Sequence, residues 1–207
     1  MAAIATTNPL VAALHVVRWG APPPLAATAA TTTSTTATAI AAHRRRVTMT
    51  DLHYLTAADA LAKFRSRELS PVELMEATIA RAEAIEPDVN AFCFTYYDRA
   101  LEQAKAAEAV YARNPDDARP LEGLPVGLKD EVEIEGEPAT MASMAFKDEL
   151  ATETTPVAER ILDAGGIIHA RTTTPEFSCA GYTHSTIYGV TRNPWNLHYA
   201  VGGSSGG

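Results

Sequence analysis

Three stretches of the chain carry residues able to do chemistry. Lys129 closes the apolar, glycine-flanked run Gly123–Leu128, and Asp130 follows it directly. A lysine amine drawn out of water gives up its proton more readily and can then act as a general base near neutral pH. A carboxylate such as Asp130 beside it opposes this by favouring the ammonium. A lysine at the end of a strand is also an ordinary solvated residue, so position alone leaves both roles open. The second stretch is Gly202–Gly207, where four glycines flank Ser204 and Ser205. Such backbone can approach a ligand closely and can turn its N–H groups into an anion-binding nest. The same composition also makes flexible linkers. The third stretch, Thr172–Asn196, is rich in hydroxyls, glycine and proline, and reads as a long ordered segment of the kind that carries function. His184 within it invites a Ser-His-Asp reading. No G-x-S-x-G elbow accompanies it and no carboxylate is placed to orient it, so it is read as a loop residue.

These residues need a frame, and its punctuation is legible. Thr56 with Asp59 three residues on marks a helix start, running to about Arg67. Ser70-Pro71-Val72-Glu73 is a stronger start, with a capping hydroxyl, a proline that has no N–H to lose and a glutamate able to reach back. Val72, Met75, Ile79 and Ala82 then form one apolar stripe, and Pro87 is expected to end that helix. Phe92 and Phe94 alternate as a short strand, and a helix from about Asp98 to Ala112 follows, broken by Asn114-Pro115. Gly123–Leu128 reads as a strand leading into Lys129. Thr155-Pro156 opens another helix, Gly165-Gly166 stops it, and Ile167–Ala170 is a buried strand. Helices alternating with short apolar strands predict an α/β layered fold.

The chain has 207 residues, 46% of them hydrophobic, 20% charged and 7% aromatic, with a net charge of −8. An acidic chain without a basic stripe is not a dedicated binder of nucleic acid or of an anionic membrane. No apolar run of about 18 residues is present to span a bilayer. Cys93 and Cys179 make neither a disulfide framework nor a cysteine zinc site. Residues 1–48 hold four arginines and no Asp or Glu, and Ala26–Ala42 is almost entirely Ala and Thr. That composition cannot bury enough large apolar surface, so 1–48 reads as a disordered extension, either translated upstream sequence or an organelle-targeting segment. The folded domain is placed at 49–207. In the absence of a secretory pattern, the expected location is the cytoplasm, with organelle import through 1–48 as the alternative.

Four separated motifs then agree. GLPVGLKD (123–130), TPVAERILDAGGIIHARTTTPEF (155–177), GVTRNPWN (189–196) and GGSSGG (202–207) stand in the order and rough spacing of the amidase signature family. The resemblance covers about residues 52–207. It implies a layered α/β/α fold with a mixed central sheet, only part of which this chain holds. It also implies hydrolysis of a carboxamide to carboxylate and ammonia or amine through a Ser–cis-Ser–Lys unit. Lys129 matches the family's lysine. Ser204 matches the serine held next to a cis peptide bond, and Ser205 the adjacent serine that supports the site. The nucleophilic serine lies in a later Gly-Ser motif beyond residue 207, so the chain alone is expected to be inactive.

Ser178 and Cys179 fall where the family's substrate-facing loop lies, and with Gly203 and Ser205 they are the substrate-binding candidates. Cys179 is not a candidate nucleophile, since no neighbour lowers its pKa recognisably. No metal or organic cofactor is implied. The expected partner is a small amide substrate, and a homodimer is compatible with the sequence. The alternative within the family is the A subunit of the glutamine-dependent tRNA amidotransferase, with partner subunits and carbon–nitrogen ligase chemistry. Its usual Asn-Met-Asp-Glu-Phe-like segment is Thr173-Thr174-Pro175-Glu176-Phe177 here, a form more typical of stand-alone amidases. A third alternative is a non-catalytic fragment.

Overall fold

A computed structural model describes residues 49–207; the expectations made for 1–48 lie outside the described residues. Helix α1 (Ala57–Ser66) begins where the Thr56 hydroxyl accepts from the Asp59 amide at 3.1 Å and donates to its carboxylate at 2.7 Å. Helix α2 (Pro71–Val89) opens with the expected capping box. The Val72 amide donates to the Ser70 hydroxyl and the Ser70 amide to the Glu73 carboxylate, each at 2.9 Å. Met75, Ile79 and Ala82 are buried as the stripe requires.

The expected stop at Pro87 is corrected. The helix continues through Pro87 to Val89 and ends at Asn90, whose φ of 55° is left-handed. Proline forfeits one backbone bond, which a last turn tolerates better than a helix interior. The end is set instead by tertiary contact. The Asn90 side chain donates to the Tyr188 and Val190 carbonyls at 2.8 and 3.2 Å, and its amide caps Glu86.

Strand β1 (Phe92–Thr95) leads into α3 (Tyr97–Arg113), whose inward face is built from Ala100, Ala104 and Ala107. Small side chains there let α3 lie close on α2 and the sheet. Strand β2 (Pro125–Lys129), helix α4 (Pro156–Asp163) and strand β3 (Ile167–Thr172) follow. The turn from α4 into β3 requires glycine. Gly165 has φ 92°, and a Cβ there would lie 2.8 Å from the Glu122 Cα.

The three strands form a mixed sheet in the order β1-β3-β2, with β3 parallel to β2 and antiparallel to β1. As the central strand, β3 is buried on both sides. Ile167 packs with Met75, Ile79, Ala100 and Ala104, and Ile168 packs on the other face with Leu128 and Ala158. Each buried isoleucine contributes on the order of 1.5–3 kcal/mol. Helices α2 and α3 thus cover one face and α4 the other, which is the expected layered α/β arrangement.

After β3 the chain makes a one-turn 3-10 helix (Glu176–Ser178) and two small hairpins. These are β4 (His184–Ser185) with β5 (Gly189–Val190), and β6 (Arg192–Asn193) with β7 (Asn196–Ala200). Among the described residues no helix is long and apolar enough to cross a membrane.

Candidate active site

Lys129 is the last residue of β2 and pairs in register with Thr172 at the end of β3. Its side chain is 14% exposed. The ammonium lies 3.0 Å from Glu131 Oε1 and also donates to the Ser205 carbonyl oxygen. Residues 129 and 205 are thereby joined across 76 positions of sequence.

Asp130 is not the partner of this amine. Strand alternation continues one residue past β2, where the Asp130 amide bonds the Thr172 carbonyl at 2.9 Å, and the Asp130 side chain is turned to the opposite side. There it is fully buried. It accepts from the Thr140 hydroxyl at 3.0 Å and from the Ala142 amide at 3.1 Å, and it lies 3.5 Å from the guanidinium of Arg171. Arg171, also fully buried, donates to the Asp130 carbonyl and stands 3.6 Å from Glu137, which Arg99 holds at 2.7 Å. These paired charges fix the back of the β2 end. The contact with Lys129 falls to Glu131, two residues on. Glu131 stands in the turn that follows β2, closed by the Val132 amide on the Lys129 carbonyl at 2.9 Å, and that turn folds its carboxylate back beside the amine.

The Gly-Ser hexamer is packed against the lysine. Thr183 donates from its hydroxyl to the Gly206 carbonyl at 2.9 Å, and the Gly203 amide donates to the Gly181 carbonyl at 3.0 Å. A Cβ at Gly207 would meet the Lys129 Cγ and the Thr173 carbonyl oxygen, both at 2.6 Å. One at Gly206, where φ is 64°, would lie 2.8 Å from the Pro175 Cδ. Glycine is what allows this loop to rest on the lysine stem. Ser204 and Ser205 are exposed.

The cis bond implied next to Ser204 is corrected: every peptide bond among the described residues is trans. A non-proline cis bond costs about 3–4 kcal/mol and persists only where surrounding structure imposes it. The exposed Ser204 has no such enclosure here.

Of the loop candidates, Ser178 reaches the cluster. Its hydroxyl donates to Glu131 Oε2 and shares a 3.0 Å bond with the Thr174 hydroxyl. Burial pushes the Glu131 carboxyl up, but the bonds from Ser178 and Lys129 outweigh it, and the net shift is downward. Cys179 stays outside: its thiol donates to the Phe177 carbonyl within its own turn, at 3.3 Å. His184 lies exposed on β4, opposite Val190. Among the described residues no group of three or more His, Cys, Asp or Glu could hold a metal ion.

An amine, a carboxylate and several hydroxyls therefore meet at the carboxyl ends of two parallel strands, beside glycine-rich backbone. A family model named Amidase matches residues 73–207, and the chain belongs to that family. It is similar to an acylamidase of Rhodococcus erythropolis, with 37% identity over 160 residues, covering 77% of this chain and 33% of that protein. It is equally similar to the A subunit of a glutamyl-tRNA(Gln) amidotransferase of Chloroflexus aggregans, with 37% identity, covering 77% of this chain and 32% of the relative. Among solved structures, a bacterial aryl acylamidase of the amidase signature family superposes with a TM-score of 0.69 and 31% identity, covering 75% of this chain and 32% of that one. The chain spans about a third of the length of these relatives.

Proposed function

We propose that this chain carries the base side of a serine-dependent amide hydrolase, with Lys129 as general base and Ser204 as the hydroxyl that relays protons to it. The observation that supports it is the closure of the Lys129 amine onto the Gly202–Gly207 loop at the Ser205 carbonyl. The nucleophilic serine comes from sequence outside the third that is matched in the relatives. Its oxygen attacks the amide carbon, and its proton passes through the Ser204 hydroxyl to a neutral Lys129. The tetrahedral intermediate collapses with breakage of the C–N bond. The proton returns by the same route to the departing nitrogen, which would otherwise be a poor leaving group. Water then attacks the acyl-serine ester, releasing the carboxylate and restoring the serine. Ser205, Gly203 and Ser178 line the approach to the acyl group, with Cys179 at its rim. The reading uses no metal or organic cofactor and places the reaction on a small amide in the cytoplasm.

In a longer parent protein, Lys129→Ala and Ser204→Ala are expected to lower amide hydrolysis by roughly 10³-fold or more with the circular dichroism spectrum retained. The 207-residue chain alone is expected to show no turnover. Wild-type rates in the Lys129 variant, or turnover by the 207-residue chain, would overturn the reading.

A second reading is supported by the equal identity to the amidotransferase relative. It has the same site release ammonia from glutamine within a multi-subunit complex. Ammonia release confined to glutamine, together with copurifying partner proteins, would select it. Hydrolysis of simple carboxamides without a partner selects the stand-alone amidase.

A further inference from the structure

Glu131 is spent on two different elements at once. One carboxylate oxygen lies 3.0 Å from the Lys129 amine on β2, and the other accepts from the Ser178 hydroxyl in the turn after β3. That turn is held in a conformation that ordinary residues avoid. Phe177 and Ser178 have φ of 52° and 54°, both left-handed and neither glycine. Such backbone persists only where its surroundings over-determine it. Three contacts do this. The Phe177 amide donates to the Met141 carbonyl at 3.0 Å, the Ser143 hydroxyl donates to Glu176 at 2.6 Å, and Ser178 is tied to Glu131. Only the last of these three also touches the amine. A continuous chain of polar contacts thus runs from the Ser205 carbonyl through Lys129, Glu131 and Ser178 to Thr174. It links the Gly-Ser loop to the strained turn across the end of β2.

We propose that Glu131 is a positioning residue that aims the Lys129 amine and couples it to the Glu176–Cys179 turn. This rests on the reading of Lys129 as the base. The charged groups nearby leave the task to Glu131: Asp130 is buried on the opposite side with Arg171, and Glu176 is committed to Ser143. A carboxylate at 3.0 Å from the amine fixes where that amine points. Glu131 therefore holds the amine oriented toward the Gly-Ser loop, and a movement of the turn that draws Ser178 away changes the bonding of that carboxylate. An acyl group that displaces Ser178 would in this way alter the base before the chemistry begins. The residue touches neither the Ser204 hydroxyl nor the Gly-Ser loop directly, so its effect on the reaction passes through Lys129.

The test is made on the 207-residue chain and needs no turnover. Lys129 is trace-labelled at about pH 8 with a small amine-acylating reagent, acetic anhydride, and its rate is read by mass spectrometry against exposed Lys147. Glu131→Gln, which keeps the size and hydrogen-bonding capacity of the side chain but removes its charge, is expected to raise the relative rate about three- to tenfold by releasing the amine from its ion pair. In parallel, the Glu131 carboxyl is titrated by carbon NMR. Lys129→Met and Ser178→Ala are each expected to move its titration upward. Two results together would overturn the proposal: an unchanged Lys129 rate in Glu131→Gln, and a Glu131 titration that neither partner substitution moves. A parent that hydrolyses no amide while the labelling rate rises would remove the hydrolase reading and leave the positioning role intact. A hydrolytic parent whose Glu131→Gln variant keeps its pH–rate profile would remove the positioning role alone.

Discussion

Two ionic clusters flank the end of β2, and they begin one residue apart. Asp130, Arg171, Glu137 and Arg99 run behind the strand, with Asp130 and Arg171 fully buried. Lys129, Glu131 and Ser178 stand in front of it, with side chains 14% and 35% exposed for the ion pair. Each charge of the buried cluster has a partner of opposite sign, and the cluster holds down the chain around Pro138 and Thr140. The front cluster makes fewer bonds, faces solvent and bears on a strained turn. The contrast separates a buried scaffold, where low dielectric makes each charge depend on its partner, from a partly exposed pair, where solvent screening lowers the cost of losing a charge.

Removing a charge from the buried side puts the greatest load on this contrast. Arg171→Met strips Asp130 and Glu137 of a buried partner, and about 3–5 kcal/mol of stability is expected to be lost. A denaturant midpoint close to wild type would show that this cluster is not scaffold.

Acid is expected to act on the buried strand β3 itself. Burial pushes His169 on β3 down from 6.5 to about 4. The unfolded chain binds the proton near pH 6.5 while the folded chain resists until about 4, so stability falls as pH drops through that window. The loss is about 3 kcal/mol in all and levels off below about pH 4. His169→Phe should flatten this part of the stability–pH curve; an unaltered slope would exclude the buried imidazole as its source.

A smaller effect is expected at Asn90, which ties the end of α2 to the Tyr188–Val190 segment. Asn90→Ala should cost about 1–2 kcal/mol and speed amide exchange in residues 183–191. Unchanged exchange protection there would show that the hairpin holds itself. The smallest effect belongs to the front cluster. Glu131→Gln should change stability by less than about 1 kcal/mol, because a part-exposed pair is screened. A loss as large as that of Arg171→Met would collapse the distinction between the two clusters.

Much of the frame follows from local chemistry that one stretch of residues decides for itself. Ser70, Pro71 and Glu73 satisfy the first amides of α2 without help from elsewhere. Gly165 permits the turn into β3, and the unbroken apolar run Ile167-Ile168 suits a strand buried on both sides. Lys129 and the Gly-Ser hexamer stood out by residue type, but type alone left a solvated lysine and a flexible linker open, and the resemblance carried by four motifs is what chose between them. What local sequence could not decide were choices between neighbours that compete for one partner. Pro87 loses to Asn90 as the end of α2 because Asn90 bonds to carbonyls about a hundred positions away. Asp130 loses to Glu131 as the companion of Lys129 because the bond to Thr172 turns Asp130 away while the turn closed by Val132 on Lys129 brings Glu131 back. Ser178 enters the cluster and Cys179 does not because the turn takes left-handed backbone at Phe177 and Ser178, held by contacts to Met141 and Glu131. Residue types and their spacing were enough to place the elements, and with the family resemblance to nominate candidate groups on them. Which of those groups meet was settled in three dimensions, because strand alternation and long-range hydrogen bonds aim side chains in ways no nearby residue controls.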